Sequence, residues 1–124
     1  MTKLILSHLP HTWILDIDGT LVRHNGHLTS RDVILPGVAE FWKTIPDGDF
    51  VILLSARQEK FRSETIQFFR DNNLHFDALI MGLPTGERVL INDDKPGGLR
   101  TALAVCVPRD VGLQQFSYEL SDKI

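Results

Sequence analysis

Short apolar runs alternate with stripes of helical spacing along this chain. Thr12 to Ile17, with Trp13-Ile14-Leu15 at its centre, and Phe50 to Leu54 are runs bounded by polar residues. Runs of that length and continuity predict strands buried in a parallel sheet. Between them, Val22 to Leu35 carries Gly26, Asn25 and the polar stretch Thr29-Ser30-Arg31-Asp32, and reads as a loop. Pro36 suits the first turn of a helix, because its missing N–H would have no partner there. Val38, Phe41, Trp42 and Ile45 give that helix an apolar face, and Pro46-Asp47-Gly48-Asp49 stops it. A second helical pattern runs from Lys60 to Asn72. Phe61, Thr65, Phe68 and Phe69 lie on one side and Arg62, Glu64, Gln67 and Arg70 on the other, a stripe that predicts core packing. Phe76 to Met81, Val89 to Ile91 and Ala102 to Val107 predict three further strands, the last ended by Pro108, and the tail around Phe116 and Tyr118 reads as surface packing.

Strands separated by helices of this length indicate an α/β fold, a parallel sheet covered on both faces. With 124 residues and 43% apolar content, the chain supports one hydrophobic core, and residues 1–124 read as a single domain. Its net charge of -3 supplies no global positive field, which argues against a nucleic-acid partner and toward a small phosphorylated metabolite. The only cysteine, Cys106, lies in an apolar run and reads as a core thiol. With no disulfide framework, the chain fits a reducing, cytoplasmic setting. No signal-like segment or membrane-length apolar run is evident.

The most specific stretch is Asp16-Ile17-Asp18-Gly19-Thr20-Leu21. Residues i and i+2 of a strand point the same way, so both carboxylates can face one cleft. Like charges held that close need an offsetting cation. Asp16, Ser55 and Asp93-Asp94 each follow an apolar run, at the strand ends where parallel sheets place their ligand crevice. Four hard oxygen donors, Asp16, Asp18, Asp93 and Asp94, suit Mg²⁺. The five histidines lack zinc-like spacing. His24 and His27 lie near the expected mouth as candidate substrate contacts. Beside a metal, one carboxylate can attack phosphorus while another protonates the leaving oxygen and then activates water. Ser55 can bind a phosphoryl oxygen through its hydroxyl and N–H. Arg57, Arg88 and Lys95 are the cations available to balance its charge.

These residues resemble the motifs of the haloacid-dehalogenase-like phosphohydrolase superfamily. The first motif corresponds to Asp16 through Leu21, the second to Leu53-Leu54-Ser55-Ala56-Arg57 and the acidic fourth to Val89 through Asp94. The resemblance runs from about Thr12 to Val107 and implies a three-layer Rossmann-like domain. It places the phosphoaspartate-forming nucleophile on Asp16 and the general acid/base on Asp18, whose carbonyl also meets magnesium. Asp94, with Asp93 direct or through water, completes the metal shell, and Ser55 and Ala56 bind phosphate. The lysine that several small relatives carry in a Gly-Lys-Pro loop is here Leu83, between Gly82 and Pro84. Arg88 and Lys95 are the candidates to replace it; without either in reach, phosphate binding with little turnover is expected. Arg57, Phe61, Arg62 and Thr65 also resemble the pattern after the second motif in polynucleotide-kinase-type phosphatase domains.

Neither interval between motifs has room for a separate cap, so the site is expected to be open or closed by a homo-oligomer. The resemblance therefore implies a magnesium-dependent phosphomonoester hydrolase, and the negative net charge points to a sugar phosphate or nucleotide as its substrate. The alternatives are a polynucleotide end-processing phosphatase and a phosphate-binding scaffold with little turnover.

Overall fold

The computed structural model describes residues 1–29 and 31–124; Ser30, in the polar stretch read as a loop, lies outside the described residues. The elements in chain order are β1 (Thr2–Leu6), β2 (Thr12–Asp16), α1 (Gly26–Thr29), α2 (Val38–Thr44), β3 (Phe50–Leu54), a 3₁₀ turn (Glu59–Phe61), α3 (Arg62–Asp71), β4 (Ala78–Ile80) and β5 (Phe116–Leu120). This is an α/β fold of parallel sheets flanked by helices, a small Rossmann-like core without a large cap. No helix among the described residues is long and apolar enough to cross a membrane.

β2, β3 and β4 form a parallel sheet in that order, with Asp16 opposite Leu54 and Leu54 opposite Ile80. The ladder continues past the strands: Ile17 N–H donates to the Leu54 carbonyl at 3.2 Å and Ser55 N–H to the Ile80 carbonyl at 2.9 Å. The carboxyl ends of β2 and β3 are thereby tied side by side, and the residues after them open on one edge. Alternation across the pleat sends Trp13, Val51 and Leu53 into the core, where they meet Val38, Phe41 and Trp42 of α2 and Phe69 of α3. On the other face Ile14, Phe50 and Ile80 stay about half exposed.

The tail expected to be surface packing forms β5 instead. Phe116, Tyr118 and Leu120 alternate with exposed Ser117 and Glu119, pair in parallel with β1 and turn their apolar side to the core. Tyr118 packs against Trp13 at a tilt of 56° with ring centroids 5.0 Å apart, and its hydroxyl donates to the Thr44 carbonyl at 2.7 Å.

The two runs between residues 89 and 107 depart from expectation. Neither Val89–Ile91 nor Ala102–Val107 forms a strand; Val89 is 80% and Ile91 90% exposed, and Cys106 is exposed rather than a core thiol. Among the described residues no strand pairs with either run. A tight turn at Lys95–Leu99 holds the segment, with Gly98 N–H on the Lys95 carbonyl and Lys95 N–H on that of Leu99. Carrying Asp93 and Asp94 beside Asp16 and Asp18 would crowd four carboxylates into one crevice, which is costly without a cation between them.

Candidate active site

The loop after β2 is a tight reversal. Gly19 takes a left-handed φ of 85°, which a side chain would strain, and the N–H groups of Leu21 and Val22 return to the Ile17 carbonyl at 2.9 and 3.2 Å. Ile17, Leu21 and Val22 are fully buried, so the reversal is anchored in the core while the two aspartates point away from it.

The aspartates enter different surroundings. The Asp16 side chain is 38% exposed; Arg88 Nη1 donates to its Oδ1 at 2.9 Å, and Thr20 Oγ1 to its Oδ2 at 3.1 Å. Asp18 is 14% exposed and belongs to a buried network around Arg57. Arg57 Nε and Nη2 donate to Asp18 at 3.0 and 2.9 Å, and Nη2 and Nη1 donate to Asp32 at 2.7 and 3.0 Å. Nη1 also donates to Thr65 Oγ1 at 2.9 Å, and the Thr65 hydroxyl donates to the Phe61 carbonyl at 2.8 Å. A guanidinium has five N–H donors, and this one has acceptors for all of them. Burial alone would lower the Arg57 pKa, but the hydrogen bonds and charges of Asp18 and Asp32 raise it.

His27, from α1, completes the cluster. Its ring is 8% exposed, lies edge-on to Phe61 at 4.7 Å and brings Nδ1 within 3.8 Å of Asp18 Oδ1, too far for a hydrogen bond. That nitrogen is buried without a partner among the described residues. Burial, and then the Arg57 charge, hold its pKa below the ordinary histidine value. Asp18, His27 and Asp32 offer ligand atoms within 4.8 Å of one another, so the cluster can coordinate a divalent metal.

Several expected contacts are not made. Arg57 has no donor left for a substrate, because each is committed to Asp18, Asp32 or Thr65. Ser55 cannot offer phosphate its N–H, which is spent on Ile80, and its buried hydroxyl oxygen already accepts from Arg57 N–H at 2.9 Å. Asp93 and Asp94 are exposed and join no cluster of metal-ligating side chains among the described residues. Lys95 is exposed in its own turn, and Ala56 is exposed after β3. His24 is partly buried; its N–H donates to Asp110 Oδ1 at 2.7 Å, and its ring Nδ1 is buried without a partner among the described residues.

Two participants were not singled out in the sequence. Asp32 is buried, with both oxygens on Arg57, yet it sits inside a polar loop with no motif spacing to mark it. Arg109 lies over Gly19: a Cβ on that glycine would stand 3.2 Å from Arg109 Cγ and 3.9 Å from Nε. The turn carrying it is pinned by Asp110 N–H on the Gly19 carbonyl at 2.9 Å.

A parallel sheet whose first aspartate pair, following serine and buried arginine converge on one edge is the fold of a haloacid-dehalogenase-like small phosphohydrolase, similar to polynucleotide kinase/phosphatase domains. The particular likeness is to chains of two solved assemblies. One is the Pnkp1/Rnl/Hen1 RNA repair complex, with 32% identity over 64% of this chain and 28% of that one and a TM-score of 0.52. The other is a Pnkp1/Rnl/Hen1 complex, with 30% identity over 66% of this chain and 31% of that one and a TM-score of 0.51. This chain thus spans under a third of each. No protein-family model and no curated protein matches it. The likeness to chains of RNA repair assemblies corrects the expectation that nucleic acid is a disfavoured partner. Net charge averages over the whole surface, whereas recognition depends on the local field, and Arg88 and Arg109 put cations at this edge.

Proposed function

We propose that this domain is a magnesium-dependent phosphatase that removes a terminal phosphate from a polynucleotide through an aspartyl-phosphate on Asp16. The observation that carries the reading is the exposed Asp16 carboxylate with Arg88 on one oxygen. A nucleophile for phosphorus needs access and a neighbouring cation, and a guanidinium held by one bond can leave the carboxylate and present its fork to two phosphoryl oxygens. The likeness to a chain of an RNA repair complex supports a polynucleotide over the small metabolite, as does Arg109 at the same edge, placed to meet a second backbone phosphate.

In the first step an Asp16 oxygen forms a bond to phosphorus, and the bond from phosphorus to the ester oxygen breaks. Asp18, protonated for this step, gives its proton to that oxygen, which leaves as an alcohol. Water then attacks the phosphoryl group, Asp18 takes a proton from it, and inorganic phosphate departs with Asp16 restored. Arg88 and the exposed backbone after β3 at Ala56 hold the phosphoryl oxygens, a role that Ser55 shares only through its hydroxyl proton. Asp16 and Asp18 offer the oxygen donors for magnesium, which when bound offsets the negative charge of phosphate and nucleophile.

The test is phosphate release from oligonucleotides phosphorylated at either end, with magnesium, by the parent and by Asp16→Asn. Release by the parent alone is expected. Equal release by the variant would remove Asp16 from the chemistry, and release only from nucleotides or sugar phosphates would reject the polynucleotide.

A further inference from the structure

We infer that Asp32 is a positioning residue for the reaction, fixing the Asp18 carboxylate through Arg57. The inference rests on the functional reading above, in which Asp18 moves the proton.

Asp18 sits within the glycine-containing reversal and has no carboxylate hydrogen bond other than those from Arg57 among the described residues. Its orientation is therefore inherited from the guanidinium. That guanidinium is itself held from the far side by a second, nearly symmetric fork: Nη2 lies 2.7 Å from Asp32 Oδ1 and Nη1 3.0 Å from Oδ2. Planarity makes the two forks rigid with respect to each other, so displacing Asp32 turns the plane that Asp18 reads. Thr65 supplies only one bond to the same group. Apart from joining Asp18 and His27 in the cluster that can hold a metal, Asp32 has no other evident task. It is buried, and both oxygens are engaged, so it does not face a substrate.

The local chain is also shaped to deliver it. A methyl group on Gly26 would stand 2.8 Å from the Arg31 carbonyl and 3.5 Å from Asp32 Cα, so the backbone before Asp32 packs where only glycine leaves room. A bidentate fork still leaves lone pairs on each Asp18 oxygen. The carboxylate can therefore be fixed in place and yet exchange a proton.

The consequence depends on the leaving group. A sugar hydroxyl leaves poorly and needs the Asp18 proton in the transition state, whereas p-nitrophenolate leaves without it. kcat/KM reports only steps up to phosphoryl transfer and so excludes the later attack of water. Asp32→Asn should lower kcat/KM about tenfold or more for a terminally phosphorylated oligonucleotide and by less than about threefold for p-nitrophenyl phosphate. Gly26→Ala, which moves Asp32 without altering any charge, should show the same split with a smaller loss. This second variant keeps the test open if Asp32→Asn folds poorly. Equal losses on both substrates, or none, would overturn the inference while leaving the phosphatase standing. A raised magnesium requirement with equal losses would make Asp32 a metal ligand and overturn it as well. A parent protein inactive on both esters would overturn the functional reading and this inference together.

Discussion

Asp16 and Asp18 stand two residues apart on one reversal, yet one is held from solvent and the other from the interior. Asp16 meets a single arginine at the surface, where water screens both partners and the pair adds about 0–1 kcal/mol at most. Asp18 meets an arginine that is 1% exposed and shared with a second carboxylate. The contrast separates a group that must exchange partners from one that must not. A phosphoryl group can displace Asp16 from Arg88 at little cost, because the pair it breaks is weak. Nothing arriving from solvent displaces Asp18 from Arg57, because removing either partner strands a charge in the interior.

The largest effect on stability should therefore come from breaking the interior set. Arg57→Ala leaves Asp18 and Asp32 facing each other without their cation and should destabilise the fold by about 3–5 kcal/mol, read by chemical denaturation. An unchanged midpoint would mean that the two carboxylates reach water and that the contrast with Asp16 is false.

A smaller effect belongs to a fourth carboxylate, beside the opposite end of β2. Burial alone would raise the Asp49 pKa, but bonds from the His11 N–H, the Trp13 indole N–H and the His11 ring, at 3.0, 2.9 and 2.8 Å, lower it. Protons then bind the unfolded chain more readily than the folded one. The contribution is present above the ordinary carboxylate pKa of about 4 and is lost as pH falls through the lower folded value. Thermal melts followed downward in pH should steepen there, and Asp49→Asn should flatten that slope. Equal slopes would show the pair to be as loose as Asp16 with Arg88.

The smallest stability effect is expected at the surface pair. Arg88→Ala should leave the melting temperature within a few degrees of the parent, while weakening the binding of a phosphate analogue and slowing single turnovers more than Lys95→Ala does. A greater loss in the Lys95 variant would move the compensating charge to Lys95. Full activity in both would assign it elsewhere, with Arg109 next in line.

Much of this molecule is legible in its sequence where a local pattern suffices. Phe50 to Leu54 matches β3 residue for residue, and the stripe of Phe61, Thr65, Phe68 and Phe69 marks the buried side of the helical turn and α3. The two motifs at the ends of β2 and β3 also lie where their apolar runs place them. The unread parts depend on long-range geometry. Asp32 reaches Arg57 across an irregular excursion, so no periodicity announces it. Arg57 reads from sequence as a free cation, but only packing reveals that its donors are all consumed. The strand at the tail is written in the alternation of Phe116, Tyr118 and Leu120, yet it becomes a strand by pairing with β1, more than a hundred residues away. Val89 to Ile91 fails in the opposite sense: a three-residue apolar run is too short to fix a strand, and the acids after it favour water.

The claim at the centre is that the exposed member of the aspartate pair takes the phosphoryl group. The direct measurement is acid quenching of the parent during turnover of a terminally phosphorylated oligonucleotide with magnesium, followed by peptide mass spectrometry. A phosphoryl group on the peptide containing Asp16, assigned to Asp16 by fragmentation, released by hydroxylamine and absent from Asp16→Asn, is the expected result. Turnover with no phosphorylated peptide, or with the phosphoryl group on Asp18, would contradict the account.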